Sequence, residues 1–144
     1  MRIVLDANLL VSLAVPMDYS ERAATEMSRW LERGVDLFAP CLWSYEAVSS
    51  LRKYVAAGKL SRDESHAALD LLFKFEIQDV APSLELHRRA LIWADRLQDF
   101  VAYDAAYLAL AEQLDAPFWT ADRKLAKRVR SLGFNRVHDV IGPL

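Results

Sequence analysis

Four acidic residues lie inside or at the edge of apolar segments, where an isolated charge is unfavourable. The segments are IVLDANLL, CLWSYEAVSSL, VAYDAAYLALA and FWTADRKL, and the acids are Asp6, Glu46, Asp104 and Asp122. An ionised carboxylate is strongly destabilised in an apolar environment unless it is paired or coordinates a metal ion. No Lys or Arg is obviously placed to pair with Asp6 or Asp104. The pattern therefore predicts a divalent-metal site built from carboxylates.

Carboxylate oxygens are the ligands that Mg²⁺ and Mn²⁺ prefer, so a cluster of acids suits these ions better than imidazoles would. One or two such ions can activate a water molecule for in-line attack on a phosphodiester and stabilise the departing oxygen. A separate histidine base is then not required. Four like charges close together also predict raised carboxyl pKa values and a metal-free protein that is stabilised when metal binds.

Each acid also has a simpler interpretation when it is taken alone. Asp104 falls in the first turn of a predicted helix, where the helix dipole favours a negative charge. Glu46 can be an ordinary surface charge, and Asp122 can cap the helix that follows it. Asp99, five residues before Asp104, can be a fifth site residue or a loop charge, and the loop interpretation is favoured.

The elements that must position these acids alternate between strand and helix. Strands are predicted at residues 2–5, 36–39, 77–80, 118–121 and 136–138. Helices are predicted at residues 20–34, 42–57, 61–75, 83–97, 102–114 and 122–132. This alternation predicts an α/β fold with a mainly parallel sheet. Asp6 and Asp122 each follow a predicted strand, at the carboxyl end where open α/β sheets place their sites.

The helix that contains Asp104 is apolar almost all round, which predicts that it is buried. Tyr107, Leu108 and Ala111 fall on the same side of this helix as Asp104, because residues three, four and seven apart share a helical face. An acid that shares a face with buried apolar residues needs a partner, as the metal-site hypothesis supposes.

Length and composition predict one domain spanning residues 1–144, because 144 residues with 53% hydrophobic content can form a single sizeable core. The single cysteine, Cys41, excludes a disulfide within the chain and favours a reducing, cytoplasmic setting. His66, His87 and His138 are too widely separated to suggest a zinc site. No segment has the roughly 18 uninterrupted apolar residues of a membrane span.

The charge is unevenly distributed, although the formal net charge is only −2. Residues 119–144 contain six basic and two acidic residues, which gives +4 there and −6 in the remainder. Four of these basic residues, candidates for nucleic-acid binding, lie on the predicted helix that follows Asp122: Arg123, Lys124, Lys127 and Arg128. A basic helix beside an acidic site can steer a polyanion toward the metal, since phosphate contacts dominate nucleic-acid affinity. The alternative is a solvated helix face.

Taken together, the four acidic segments resemble the PIN domain, and particularly its VapC-type toxin branch. The resemblance rests on DAN at residues 6–8, the early helical Glu46, YDAAYLALA around Asp104 and TADRKLA around Asp122, and it spans essentially the whole chain. It implies a three-layer α/β/α fold and a metal-dependent ribonuclease. Four matching acids would hold Mg²⁺ or Mn²⁺, supported by two polar residues: Asp6, Glu46, Asp104 and Asp122, with Asn8 and Thr120. We expect Asp6 and Asp104 to be direct ligands, and Asp122 and Glu46 to bind directly or through water.

The same resemblance implies partners. It suggests an RNA substrate, a cognate antitoxin and a homodimer, with the antitoxin helix lying in an apolar groove. Four aromatic residues fall near such a groove, or belong to the core, which is the favoured interpretation: Trp30, Trp43, Tyr54 and Phe73.

Two alternatives of the same fold stay open, a housekeeping nuclease and a non-catalytic module that binds RNA or protein. Retention of all four acids argues against the binding module, because such a module has no use for a costly acidic cluster. A phosphate-transfer receiver is disfavoured, because Asp6 is too early in the chain and a matching Lys is absent.

Overall fold

The computed structural model describes residues 1–141, which fold around a five-stranded sheet. The strands are β1 (Arg2–Leu5), β2 (Asp36–Pro40), β3 (Ile77–Val80), β4 (Phe118–Thr120) and β5 (Val137–Asp139). Seven helices connect them within the described residues: α1 (Ala7–Ser12), α2 (Ser20–Glu32), α3 (Leu42–Ala56), α4 (Arg62–Leu72), α5 (Leu84–Leu97), α6 (Tyr103–Gln113) and α7 (Arg123–Ser131). The strand order is β3-β2-β1-β4-β5, and every neighbouring pair is parallel.

The helices cover both faces of this sheet. Connections between parallel strands are right-handed as a rule, so reversing the direction of winding moves the helices to the opposite face. The winding reverses after β3, which places α1–α4 on one face and α5–α7 on the other. The contacts agree, because α1 packs on α2 and α3, α3 packs on α4, and α5 packs extensively on α6. The predicted three-layer α/β/α fold is therefore confirmed, and its sheet is parallel throughout.

The central strand β1 is the most buried part of the sheet. Ile3, Val4 and Leu5 have no exposed surface, as expected for a strand covered on both faces. The chain winds outward from β1 to β2 and β3, then returns to place β4 on the other side of β1. A crevice forms at such a reversal, at the carboxyl ends of the two diverging strands. Asp6 follows β1 and Thr120 ends β4, so both lie at this point.

Helix α1 is an element that the sequence pattern did not predict. It has six residues, and five of them are buried, so there is no polar face to reveal a helical period. Several predicted boundaries also differ by a residue or two, the usual uncertainty at the ends of elements. Thus β2 includes Pro40, β4 ends at Thr120, and β5 continues to Asp139.

Helix α6 is buried along most of its length, as its apolar composition predicted. Its buried residues are Ala105, Tyr107, Leu108, Ala109, Leu110 and Ala111. Because α6 contacts β1, β2 and β4, it fills the centre of one helical layer and holds Asp104 near the end of β1. At 11 residues it is short, and none of the helices within residues 1–141 is long and apolar enough to cross a membrane.

Candidate active site

Asp6 is a buried carboxylate at the carboxyl end of the central strand. Only 5% of the residue is exposed, and its Oδ2 accepts a hydrogen bond of 2.7 Å from the Thr120 hydroxyl. Burial raises the pKa of Asp6 from 3.8 to about 7; the Thr120 hydrogen bond lowers the pKa, while the charges of Asp104 and Glu46 raise it. A neighbouring cation would remove this penalty on the ionised form.

Thr120 joins the two sides of the crevice. Its hydroxyl donates to Asp6, and its oxygen accepts the backbone N–H of Asp122 at 3.0 Å. Asn8 makes a parallel connection, because its Oδ1 accepts the backbone N–H of Ala121 at 2.9 Å. The two polar residues predicted to support the acids thus tie the start of α1 to the turn after β4.

Asp104 lies in the first turn of α6, half-buried and close to several other acids. Burial raises its pKa to about 6, and the charges of Asp122, Asp99 and Glu46 add to this increase, whereas Arg128 lowers it. The predicted rise in carboxyl pKa is therefore confirmed for Asp6 and Asp104. The four candidate acids therefore lie in the same region of the fold, each within electrostatic range of at least one other.

Glu46 extends from the second turn of α3 and contacts a residue on α6. The Tyr107 hydroxyl donates to its Oε1 over 2.6 Å, and Tyr107 itself is 1% exposed. Burial raises the pKa of Tyr107 well above the ordinary value, and the charges of Asp6 and Glu46 raise it further. The sequence placed Tyr107 on the Asp104 side of α6 but not in contact with Glu46. The available signal was that a buried tyrosine hydroxyl usually finds a hydrogen-bond partner.

Asp122 caps α7, as the simpler interpretation proposed. Its Oδ1 accepts the backbone N–H of Leu125 at 3.0 Å, and the residue is exposed. The charge of Asp122 nevertheless raises the pKa of Asp104. Asp122 therefore both caps α7 and lies near the other candidate acids.

Asp99 lies in the loop between α5 and α6, where it pairs with Arg128 of α7 at 3.2 Å. It is a loop residue, the favoured interpretation, yet it also raises the pKa of Asp104. Arg128, a candidate RNA-binding residue, is therefore held at the rim of the acidic cluster. Arg123, Lys124 and Lys127 are exposed on the same helix.

The aromatic residues considered for a groove mostly belong to the core. Trp30 is 5% exposed and packs edge-on against Trp119, and Trp43 is 3% exposed with its indole N–H donated to Asp79. The core interpretation is confirmed for these two. Tyr54 is half-buried and Phe73 is exposed. There is an apolar groove between α3 and α4, but none of these four aromatic residues lines it. Its apolar lining residues include Val48, Leu51, Val55 and Leu69.

Comparison with known proteins assigns the family. A family model described as the PIN domain matches residues 4–138. The chain belongs to the PIN domain family. It is 31% identical to Ribonuclease VapC3 of Pyrobaculum aerophilum over 137 residues, which cover 92% of this chain and 98% of that protein.

Solved structures share the PIN fold at lower identity. A toxin-antitoxin complex from Klebsiella pneumoniae has a chain with a TM-score of 0.68 and 15% identity, covering 96% of this chain and 97% of that one. VapBC-1 from nontypeable Haemophilus influenzae gives a TM-score of 0.66 and 19% identity, covering 99% and 100%. At these identities the likeness concerns the fold alone.

The PIN domain residues offer only oxygen donors to a metal ion. Within residues 1–141, no three His, Cys, Asp or Glu side chains lie close enough to form a ready-made metal site. Mg²⁺ usually keeps several waters and binds through one or two carboxylates together with substrate phosphates. A buried, raised-pKa carboxylate at Asp6 beside Asp104 fits such a hydrated ion, rather than a four-acid cage.

Proposed function

We propose that this PIN domain protein is a metal-dependent endoribonuclease and the toxin of a toxin–antitoxin pair. The observation that carries the proposal is the buried Asp6 carboxylate at the end of β1, with Asp104, Glu46 and Asp122 around it. A cluster of this kind destabilises the metal-free protein, and a bound cation would offset that cost. The similarity to Ribonuclease VapC3 along nearly the whole chain supports RNA as the substrate.

Asp6 and Asp104 would hold Mg²⁺ or Mn²⁺ directly, and Glu46 and Asp122 would hold it directly or through water. When bound, such an ion would supply the activation of water and the charge compensation that phosphodiester hydrolysis needs. Thr120 keeps the Asp6 carboxylate oriented through its 2.7 Å hydrogen bond. Asp6 and Asp104 have pKa values of about 7 and 6, so both become ionised, as ligands must be, near neutral pH.

Helix α7 is the proposed RNA-binding element. Arg123, Lys124 and Lys127 are exposed on its first two turns, directly after Asp122. Cationic side chains there would bind phosphates on either side of the bond to be cut and offset the repulsion between RNA and the acids. Arg128 pairs with Asp99 and would be free to turn toward a phosphate that displaces this exposed ion pair.

We further propose that an antitoxin helix binds the groove between α3 and α4. The groove has a volume of about 290 Å³, an apolar lining and Arg52, Arg62 and His66 at its sides. An amphipathic helix with acidic flanks fits this chemistry, since its apolar face would cover the lining. Val55→Arg would place a charge in the groove and is expected to abolish inhibition by a co-expressed antitoxin, whereas Val101→Arg, outside the groove, would not.

A homodimer is proposed through a different surface. A cavity of about 750 Å³, with mostly apolar walls, lies between the start of α3, β3, α5 and α6, and exposed Tyr45, Leu91 and Tyr103 line it. Apolar patches of this kind usually mark protein contacts. Leu91→Arg is expected to convert the dimer to a monomer in sedimentation equilibrium without lowering the melting temperature of the metal-free chain. A wild-type protein that is monomeric at high concentration would refute this proposal.

The central test is cleavage of a fluorogenic RNA panel by the purified protein with Mg²⁺ or Mn²⁺. We expect cutting that EDTA abolishes and that Asp104→Asn lowers at least a hundredfold. Asp36→Asn is the matched control, because Asp36 is exposed at the opposite end of the sheet and should leave the rate unchanged. Absence of cutting by folded, metal-loaded wild type would favour the non-catalytic module.

A further inference from the structure

Tyr107 is buried beside the candidate acids but is not itself one of the proposed metal ligands. Tyr107 follows Asp104 by one turn of α6, and its ring packs against Phe118 at 6.0 Å between centroids. Its hydroxyl donates to Glu46 Oε1 over 2.6 Å. This is within the range of roughly 2.5–2.7 Å that is typical of a hydroxyl bound to an ionised carboxylate, one of the stronger kinds of hydrogen bond.

The surroundings of this hydroxyl connect three elements. The Ala7 backbone N–H at the start of α1 acts on it, and the Asp6 and Glu46 carboxylates are both close enough to affect it electrostatically. The first N–H groups of a helix lack partners within the helix, so Ala7 has a donor to offer. Tyr107 therefore lies where α6, α3 and the end of β1 meet.

Glu46, like Asp6 and Asp122, has a side-chain carboxylate that accepts a hydrogen bond. Thr120 holds Asp6, and the N-terminus of α7 holds Asp122. Within residues 1–141, the Glu46 carboxylate accepts one side-chain hydrogen bond, and its donor is the Tyr107 hydroxyl. Glu46 is half-exposed with a long, flexible side chain, so without this bond it would sample several rotamers.

We propose that Tyr107 is a positioning residue that holds Glu46 in the orientation needed to contact the metal ion directly or through water. The inference rests on the proposed metal-dependent function. Helix α6 then supplies both Asp104 and the tyrosine that positions Glu46. Because Glu46 lies on α3, in the opposite helical layer, α6 sets the spacing between Asp104 and Glu46. Outer groups that orient ligands commonly affect metal affinity or activity by roughly 10–100-fold.

The first part of the test measures the Tyr107–Glu46 contact without metal. Melting temperatures in EDTA are compared for wild type, Tyr107→Phe, Glu46→Ala and the double variant. Phenylalanine keeps the ring packing, and alanine suits the α3 helix. We expect the two single changes to be non-additive, because either one removes the same hydrogen bond. Strictly additive changes would mean that the bond does not exist in solution and would overturn the proposal.

The second part measures Mn²⁺ affinity by calorimetry. Tyr107→Phe is expected to weaken binding about tenfold or more. Tyr54→Phe is the matched control, because the Tyr54 hydroxyl donates to Met17 Sδ rather than to a carboxylate, and the Mn²⁺ affinity of this variant should equal that of wild type. RNA cleavage by Tyr107→Phe should recover toward the wild-type rate as Mn²⁺ is raised. This is measured well below the melting temperature of the variant in EDTA, so that stabilisation of the folded state by Mn²⁺ does not account for the recovery.

A third variant covers the case in which Tyr107→Phe does not fold. Glu46→Asp keeps the charge but shortens the side chain by one methylene, so the carboxylate can no longer reach both Tyr107 and the metal. It too should bind Mn²⁺ more weakly. If either folded variant binds Mn²⁺ as tightly as wild type does, the positioning role is overturned. If the wild-type protein binds no Mn²⁺, the proposed function itself is contradicted. The metal-free comparison then still tests the Tyr107–Glu46 contact separately.

Discussion

Replacing Asp6 with asparagine should stabilise the metal-free protein at alkaline pH while abolishing its activity. The folded-state pKa of about 7 lies above the ordinary value of 3.8, so the folded protein holds the Asp6 proton more tightly than the unfolded chain does. The stability that Asp6 contributes is then greatest below pH 4, falls as the pH rises from about 4 to 7, and is constant above that range. At 1.36 kcal/mol per pKa unit the full loss amounts to about 4 kcal/mol, as an order of magnitude.

The assay is urea unfolding in EDTA between pH 5 and pH 8, with wild type and Asp6→Asn compared at each pH. The free energy of unfolding of wild type should fall by a few kcal/mol relative to the variant over this range, an order-of-magnitude expectation. Asparagine can still accept the Thr120 hydrogen bond, so the comparison isolates the charge. Asp70→Asn, at an exposed position on α4, should run parallel to wild type.

Metal provides the complementary measurement. At pH 8, Mn²⁺ should raise the melting temperature of wild type, because it offsets the buried negative charge, but should raise that of Asp6→Asn much less. A constant difference between the two proteins from pH 5 to pH 8 would refute the reasoning. So would a variant that is less stable than wild type at pH 8, since the buried charge would then not be the destabilising element.

Three further changes test the surrounding residues. Thr120→Val should raise the pKa of Asp6, because the Thr120 hydrogen bond that lowers it is lost. In urea unfolding the variant should be destabilised by roughly 1–3 kcal/mol, because the Asp122 N–H loses its acceptor. The control Thr25→Val, at an exposed position, should have little effect. Arg128→Gln should move the acid limb of the pH–rate profile to higher pH, because Arg128 lowers the pKa of Asp104. The control Arg29→Gln breaks an exposed ion pair on α2 and should not move this limb. An unchanged acid limb in Arg128→Gln would contradict the electrostatic argument. Lys124→Gln should reduce the slope of log affinity for single-stranded RNA against log salt by about 0.7, whereas Lys74→Gln should leave that slope unchanged.

The sequence predicted most of the fold because its helices and strands carry local signals. The Ser61–Glu64 capping box is present in the structure with both of its hydrogen bonds, and Ser83 caps α5. Buried strands such as β1 appear as short apolar runs bounded by polar residues. Helix α1 has no such signal, because a buried six-residue helix has neither a polar face nor room for a period.

The candidate site could be predicted only in part, for a related reason. The acids are visible in the sequence because a charge in an apolar segment is unusual. Their contacts are not, because the Tyr107–Glu46 bond joins residues 61 positions apart and the Asp99–Arg128 pair joins residues 29 apart. These contacts depend on which strands adjoin and on which face each helix lies.

The order in which the ribosome makes the chain has a consequence for the crevice between β1 and β4. Asp6 is synthesised 114 residues before the hydroxyl that orients it, which belongs to the strand that inserts between β1 and β5. A nascent chain that stops before Thr120 contains Asp6, Glu46 and Asp104 but has no β4 to hold the first of them. The complete acidic cluster is therefore absent until β4 and Asp122 have been synthesised and have docked. If the protein is the ribonuclease proposed above, an unfinished chain would lack the complete site while it is still attached to the RNA-rich ribosome.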